Sequence, residues 1–165
     1  MSLARISGGR TVLIDTNILL YHAQGASAEA SAFLERCCSG EITGLLTSVV
    51  LAEFGHRRMI LEAAAAGLVT SNPARSLAQK PHLIRTLSAQ AEAVRNLLDS
   101  GLIFETVQKE DFILALELQR EHALLTNDSL NLAVARRLVI RDLATADRHF
   151  ETVLDLTIHR PADLD

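Results

Sequence analysis

The sequence predicts an α/β fold: a central, mainly parallel sheet of about five strands between two layers of helices, with a helical insertion at about residues 67–98. Three observations predict it. Thr11-Val-Leu-Ile14 is an unbroken run of β-branched and aliphatic residues, which suits a strand covered on both faces in a parallel sheet. Strand-like and helix-like segments then alternate, an order that favours parallel pairing. At 165 residues and 18.0 kDa, with 48% apolar and 22% charged residues, the chain is long enough for one domain spanning 1–165 and too short for two ordinary ones.

The elements follow in order. After the first strand, Ile18 to Ala23 reads as a short helical turn. Ala28 to Cys38 has apolar residues at helical spacing (Ala32, Phe33, Cys37) and ends at Gly40. Gly44 to Thr47 is a short buried strand, and Ser48 is an N-cap candidate for an Ala-rich helix from Val49 to Ala66, closed by Gly67. Between Gly67 and Pro81 the breakers Ser71-Asn-Pro73 and Lys80-Pro81 predict a loop, followed by a helix from about His82 to Leu98. Ile103 to Val107 is the next strand; Glu110 to His122 and Asp128 to Leu138 are helices. Val139-Ile140 and Leu143-Ala144 predict a strand ending at Thr145, then a short helix near His149 to Val153 and an edge strand near Leu156 to His159.

Composition excludes several classes. The apolar stretches are interrupted by charged residues or His before a membrane-spanning length is reached, and the N-terminus lacks a signal-peptide pattern, so a cytoplasmic location without membrane contact is expected. Cys37 and Cys38 are adjacent, which suits reduced helix residues rather than a disulfide or zinc framework. A net charge of −4 and a pI of about 5.8 argue against binding nucleic acid through a broad basic surface. They do not argue against a nuclease whose carboxylates hold divalent cations.

Four acids stand near the carboxyl edge of the predicted sheet, where open α/β folds bind ligands. Asp15 ends the first strand, with Asn17 beside it. Glu53 lies early in the helix after the second strand, with Val49 and Val50 at i−4 and i−3 turning it inward. Asp128 begins a helix, and Asp147 follows a strand. Each has a structural alternative: an ion pair of Glu53 with Arg57, or helix caps at Asp128 and Asp147. Asp142 competes with Asp147 but falls inside its strand and would not project from the carboxyl end. Gathered carboxylates repel and raise one another's pKa, so their conjunction points to divalent cations, and oxygen-only ligands favour magnesium or manganese.

Asp15-Thr-Asn17 after an apolar strand, Thr47-Ser-Val-Val-Leu-Ala-Glu53, Leu124-Leu-Thr-Asn-Asp-Ser-Leu-Asn-Leu-Ala133 and Leu143-Ala-Thr-Ala-Asp-Arg-His-Phe150 together resemble a PIN domain of the VapC toxin type, from about residue 11 to 160. The resemblance implies a three-layer α/β/α PIN-like fold and a metal-dependent endoribonuclease. Asp15, Glu53, Asp128 and Asp147 would be its catalytic ligands to Mg2+ or Mn2+, with Asn17 and Thr145 in supporting places. It further implies an RNA substrate, a small antitoxin as partner and a homodimer. PIN domains also serve in RNA maturation and decay, and a fold of this kind that has lost catalysis would act only as a binding module. The stretch 67–98 is longer than in the most compact members and suits an arm for dimer or partner contacts.

Of the basic residues, Arg57-Arg58, Arg136-Arg137, Arg141 and Arg148 are the candidate phosphate contacts; ordinary solvated helix surface suits most of them better, except Arg148, directly after an expected ligand, which is the candidate substrate contact. With 4% aromatic residues the chain has no base-stacking platform, so selectivity would rest on RNA shape and backbone. The histidines show no paired metal spacing, and His149 suits a surface imidazole near the site. A phospho-acceptor signalling module is the rival class. It would need an acidic pair after the first strand and a late lysine, whereas Asp15 has no acidic neighbour and the only lysines are Lys80 and Lys109.

Overall fold

The computed structural model describes residues 1–69 and 72–164. Its sheet has five strands: β1 (Thr11–Ile14), β2 (Thr43–Thr47), β3 (Ile103–Glu105), β4 (Asp142–Ala144) and β5 (Thr157–His159). They lie in the order β3-β2-β1-β4-β5, with every neighbouring pair parallel. Successive residues of β1 face opposite sides. Val12 and Ile14 join a core formed with α1 (Thr16–Gln24), α2 (Ala28–Cys38) and α3 (Ser48–Ala65), whereas Leu13 joins a second core with α7 (Lys109–His122) and α8 (Thr126–Arg137). This is the expected three-layer arrangement, and a buried parallel strand must be apolar on both faces to form it. Free Cys37 is buried in the first core, which pushes its thiol up to about 12.

The side on which successive strands are added switches between β1 and β4. The first three strands step outward from β1 on one side, and the remaining two step outward from β4 on the other. Register pairs Ile14 with Ala144, and Asp15 N–H continues the ladder to the Ala144 carbonyl at 3.0 Å. Such a switch point opens a crevice outside the strand ends.

Several elements differ from expectation. The N-cap of α3 is Thr47 rather than Ser48, because the Thr47 hydroxyl reaches the Val50 amide at 3.1 Å while the Ser48 hydroxyl accepts from Val107 N–H. The predicted loop between Gly67 and Pro81 contains α4 (Pro73–Ala78), started by Pro73 at its first turn; Ser71 of the breaker lies outside the described residues. The helix predicted from His82 to Leu98 is two, α5 (Pro81–Ile84) and α6 (Ala89–Leu98). The break is stabilised from α3: the Glu62 carboxylate accepts from the amides of Ser88, Ala89 and Gln90 at 2.9, 3.1 and 3.0 Å, capping α6 across the helix pair. Leu77 of α4 and Val69 form a small core with Ala63 of α3, with Ile60 and Leu83 against it. Val139 and Ile140 are not strand. Val139 adopts φ 57° and Ile140 N–H returns to the Ala135 carbonyl, the bond pattern that closes a helix, so β4 begins only at Asp142.

Candidate active site

Asp15 caps α1 from the end of β1. Its Oδ1 accepts from Thr16 N–H at 2.7 Å, and its Oδ2 accepts from the Thr145 hydroxyl at 2.6 Å and Asn17 Nδ2 at 2.5 Å. Burial pushes the Asp15 carboxyl above its usual range, against the Thr145 and Thr16 hydrogen bonds and with Glu53 and Asp147 adding repulsion. Asn17 and Thr145 thus both donate to the Asp15 carboxylate. Asn17 also accepts from Ala146 N–H at 3.0 Å, and the Thr145 hydroxyl accepts from Asp147 N–H at 3.0 Å. One compact network therefore fixes both strand ends and sets the chain direction into Asp147.

The other acids arrive on helix starts and on the loop after β4. Asp15, Glu53, Asp128 and Asp147 line one cavity of about 620 Å³, with Asn17, Tyr21, Arg57 and Asn127 also in its wall. Glu53 does pair with Arg57, at 2.7 Å, and its second oxygen accepts from Asn127 Nδ2 at 3.1 Å. The ion pair leaves Glu53 at the cavity wall. Asp128 is not the N-cap of α8: the helix starts at Thr126, which puts Asp128 in its first turn. There it makes no hydrogen bond among the described residues. Burial, then repulsion from Asp15, Asp147 and Glu53, pushes its carboxyl up to about 6.

Asp147 accepts from the backbone N–H of His149 at 2.8 Å, and its Oδ1 lies 2.9 Å from His149 Nδ1. His149 is exposed, as expected of a surface imidazole, but it is also part of the site. Asp128, Asp147 and His149 each present one ligand atom, all within 4.8 Å of one another. Raised proton affinity at Asp15 and Asp128, the latter's carboxylate without a hydrogen-bond donor among the described residues, fits a divalent cation as the missing counter-charge. Asp142 sits at the opposite end of β4, hydrogen-bonded by Arg10 and 2.8 Å from His159 Nε2, and has no part in the cavity.

The basic residues divide differently from expectation. Arg148 is exposed and does not line the cavity, whereas Arg57 does. Arg137 is held by Asp111 at 2.8 Å and Glu105 at 2.9 Å, and Arg136 lies 3.4 Å from Asp155. Two polar residues behind the site were not anticipated. The Thr47 hydroxyl donates to Asn131 Oδ1 at 2.6 Å across 84 residues of sequence, both side chains buried. It joins the start of α3, which carries Glu53, to α8, which carries Asp128. The available signal was Asn131 itself, an amide set in the apolar run Leu130 to Val134.

Acids gathered at the switch point of a five-stranded parallel sheet define an acid-lined α/β domain. The PIN domain family matches residues 12–155, and the chain belongs to that family. Its fold is similar to VapBC2 from Rickettsia felis bound to a DNA fragment from its promoter, with 16% identity, a TM-score of 0.59, and 91% of this chain and 98% of that one covered. A toxin-antitoxin complex from Klebsiella pneumoniae shares 17% identity over 88% of this chain and 95% of that one, with a TM-score of 0.58. VapC20 of Mycobacterium tuberculosis, a toxin that cleaves the sarcin-ricin loop, shares 16% identity over 87% and 95%, with a TM-score of 0.58. No curated protein matches the chain. Among the described residues no helix is long and apolar enough to cross a membrane.

Proposed function

We propose that this PIN domain is a magnesium- or manganese-dependent endoribonuclease and the toxin of a toxin-antitoxin pair. The observation that carries the reading is the convergence of Asp15, Glu53, Asp128 and Asp147 on one cavity at the β1/β4 switch point. These four would hold the metal. Once bound, it supplies an ionised water and charge stabilisation at a phosphodiester. The protein's own contribution is positioning. Thr145, Asn17 and the Thr16 amide keep Asp15 oriented and ionisable, Asn127 and Arg57 hold Glu53, and Arg57 is in place to meet a phosphate oxygen at the cavity rim. Arg148, exposed beside Asp147, would be a second contact to the RNA strand.

The whole chain would act as one catalytic unit in the cytoplasm. The similarity to two toxin-antitoxin assemblies supports a small antitoxin protein as partner, and the protein would act as a homodimer. Asp15→Asn retains the shape of the cap while removing the charge. It is expected to lower metal-dependent cleavage of single-stranded RNA by at least about a hundredfold with the fold intact. A well-folded Asp15→Asn protein that cleaves at the native rate would overturn the proposal.

A further inference from the structure

The chain is acidic, but its charge is unevenly placed. It holds 16 Lys and Arg against 20 Asp and Glu, and residues 67–98 hold Arg75, Lys80, Arg85 and Arg95 against Glu92 alone. That segment therefore has a net +3 while the remainder has −7. All four cations are exposed, and none makes an ion pair or side-chain hydrogen bond among the described residues. This contrasts with Arg36, Arg136 and Arg137, each held by an acid elsewhere on the molecule.

The segment also lies beside the site. Ile60 follows Glu53 by two helical turns, so it shares the face of α3 that presents Glu53, about 10 Å further along the axis. Ile60 packs into the small core made by Leu77 of α4 and Leu83 of α5. A strand leaving the cavity over Arg57 and following this face of α3 meets the basic segment within a few nucleotides. No Phe, Tyr or Trp occurs between 67 and 98, so the segment offers charge without stacking.

We infer that residues 67–98 form a contact surface for the RNA backbone outside the cavity, with Arg75, Lys80 and Arg85 pairing with phosphates of the strand whose scissile bond lies among the carboxylates. The inference rests on the ribonuclease reading for the identity of the polyanion. An acidic protein is the competing occupant, but Arg75 on α4 with Lys80 and Arg85 at the two ends of α5 gives separated single cations, which suit a ligand charged at every residue. Contacts of this type position the strand without reading its sequence.

The test uses the full chain and fluorescence anisotropy with two labelled RNAs, of 20 and 3 nucleotides, with calcium replacing magnesium to slow hydrolysis. In R75Q/K80Q/R85Q, the longer RNA is expected to bind about tenfold more weakly, and its plot of log affinity against log salt to become shallower by about 2, as for three lost phosphate contacts. Binding of the shorter RNA should not change, and R75K/R85K should bind the longer one like the native protein. An unchanged affinity and slope for the longer RNA would overturn the inference, as would an equal loss on both RNAs. Binding of poly-glutamate as tight as that of RNA of equal charge would assign the surface to an acidic protein instead. Cleavage does not enter these measurements, so loss of the ribonuclease reading through Asp15→Asn is distinguishable from loss of this one.

Discussion

Asp128 shows how the site stores its need for a cation in one side chain. Its carboxyl has no hydrogen-bond donor among the described residues, and burial with three neighbouring acids holds it at about 6 against an ordinary 3.8. A carboxyl raised in the fold favours the protonated state. The metal-free protein therefore keeps this part of its stability below about pH 4 and loses it as the pH rises through about 6. Asp128→Asn removes that titration. At pH 7.5, without metal, the variant is expected to be more stable than the native protein by about 1 kcal/mol, discounted for partial exposure and shared repulsion, with the two converging below pH 4. Urea titrations across that range check it; a variant less stable at pH 7.5 would contradict the account. Asp15 shifts in the same direction, but Thr145, Asn17 and Thr16 satisfy it, which is why Asp15 tolerates deeper burial.

At the scale of elements, the site depends on how α3 and α8 are held relative to each other. Thr47 does two things: its oxygen caps α3 by accepting from Val50 N–H, and its proton goes to Asn131 on α8. Thr47→Val removes both while keeping the shape. The expected cost is about 2–3 kcal/mol, from a lost cap and an amide oxygen left buried without a donor. Metal affinity should fall as well, since Glu53 and Asp128 are then less firmly placed. Thr47→Ser should recover both properties, and calorimetry of metal binding beside thermal unfolding reads them separately. If Thr47→Val binds metal as tightly as the native protein, the pair is only structural. The same scale explains the two predicted elements that changed most. Local pattern extends a helix through His82 to Leu98 and a strand through Val139, but Glu62 caps α6 from another helix and a helix-closing turn takes Val139.

For the whole molecule, a cation that binds only the folded carboxylate cluster must stabilise the entire fold, because the four acids come from positions far apart in the chain. At a hundred times its dissociation constant, magnesium or manganese is expected to add about 2.7 kcal/mol to unfolding, seen as a rise in Tm. Asp15→Asn should lose most of that rise. An equal rise from sodium chloride at matched ionic strength would show general screening and no site. Charge is divided at this scale too: residues 67–98 carry a net +3 and the remainder of the chain, which lines the cavity with acids, a net −7.

Much of this was legible in the sequence. A buried parallel strand announces itself by an unbroken run of β-branched and aliphatic residues, and Thr11–Ile14 is strand β1 with those bounds. An acid just past such a strand, as Asp15 and Asp147 are, or early in a helix, as Glu53 and Asp128 are, is readable from local pattern, and all four line the cavity. What local pattern does not contain is distance between remote segments. The Thr47 to Asn131 hydrogen bond, the approach of His149 to Asp128 and Asp147, and the choice of Arg57 over Arg148 at the cavity wall depend on how helices pack across the sheet. Sequence by itself determined the kinds of element and the residues at strand ends, because periodicity and chain direction act over a few residues; only tertiary structure decided which side chains meet, because packing joins parts of the chain that share no local signal.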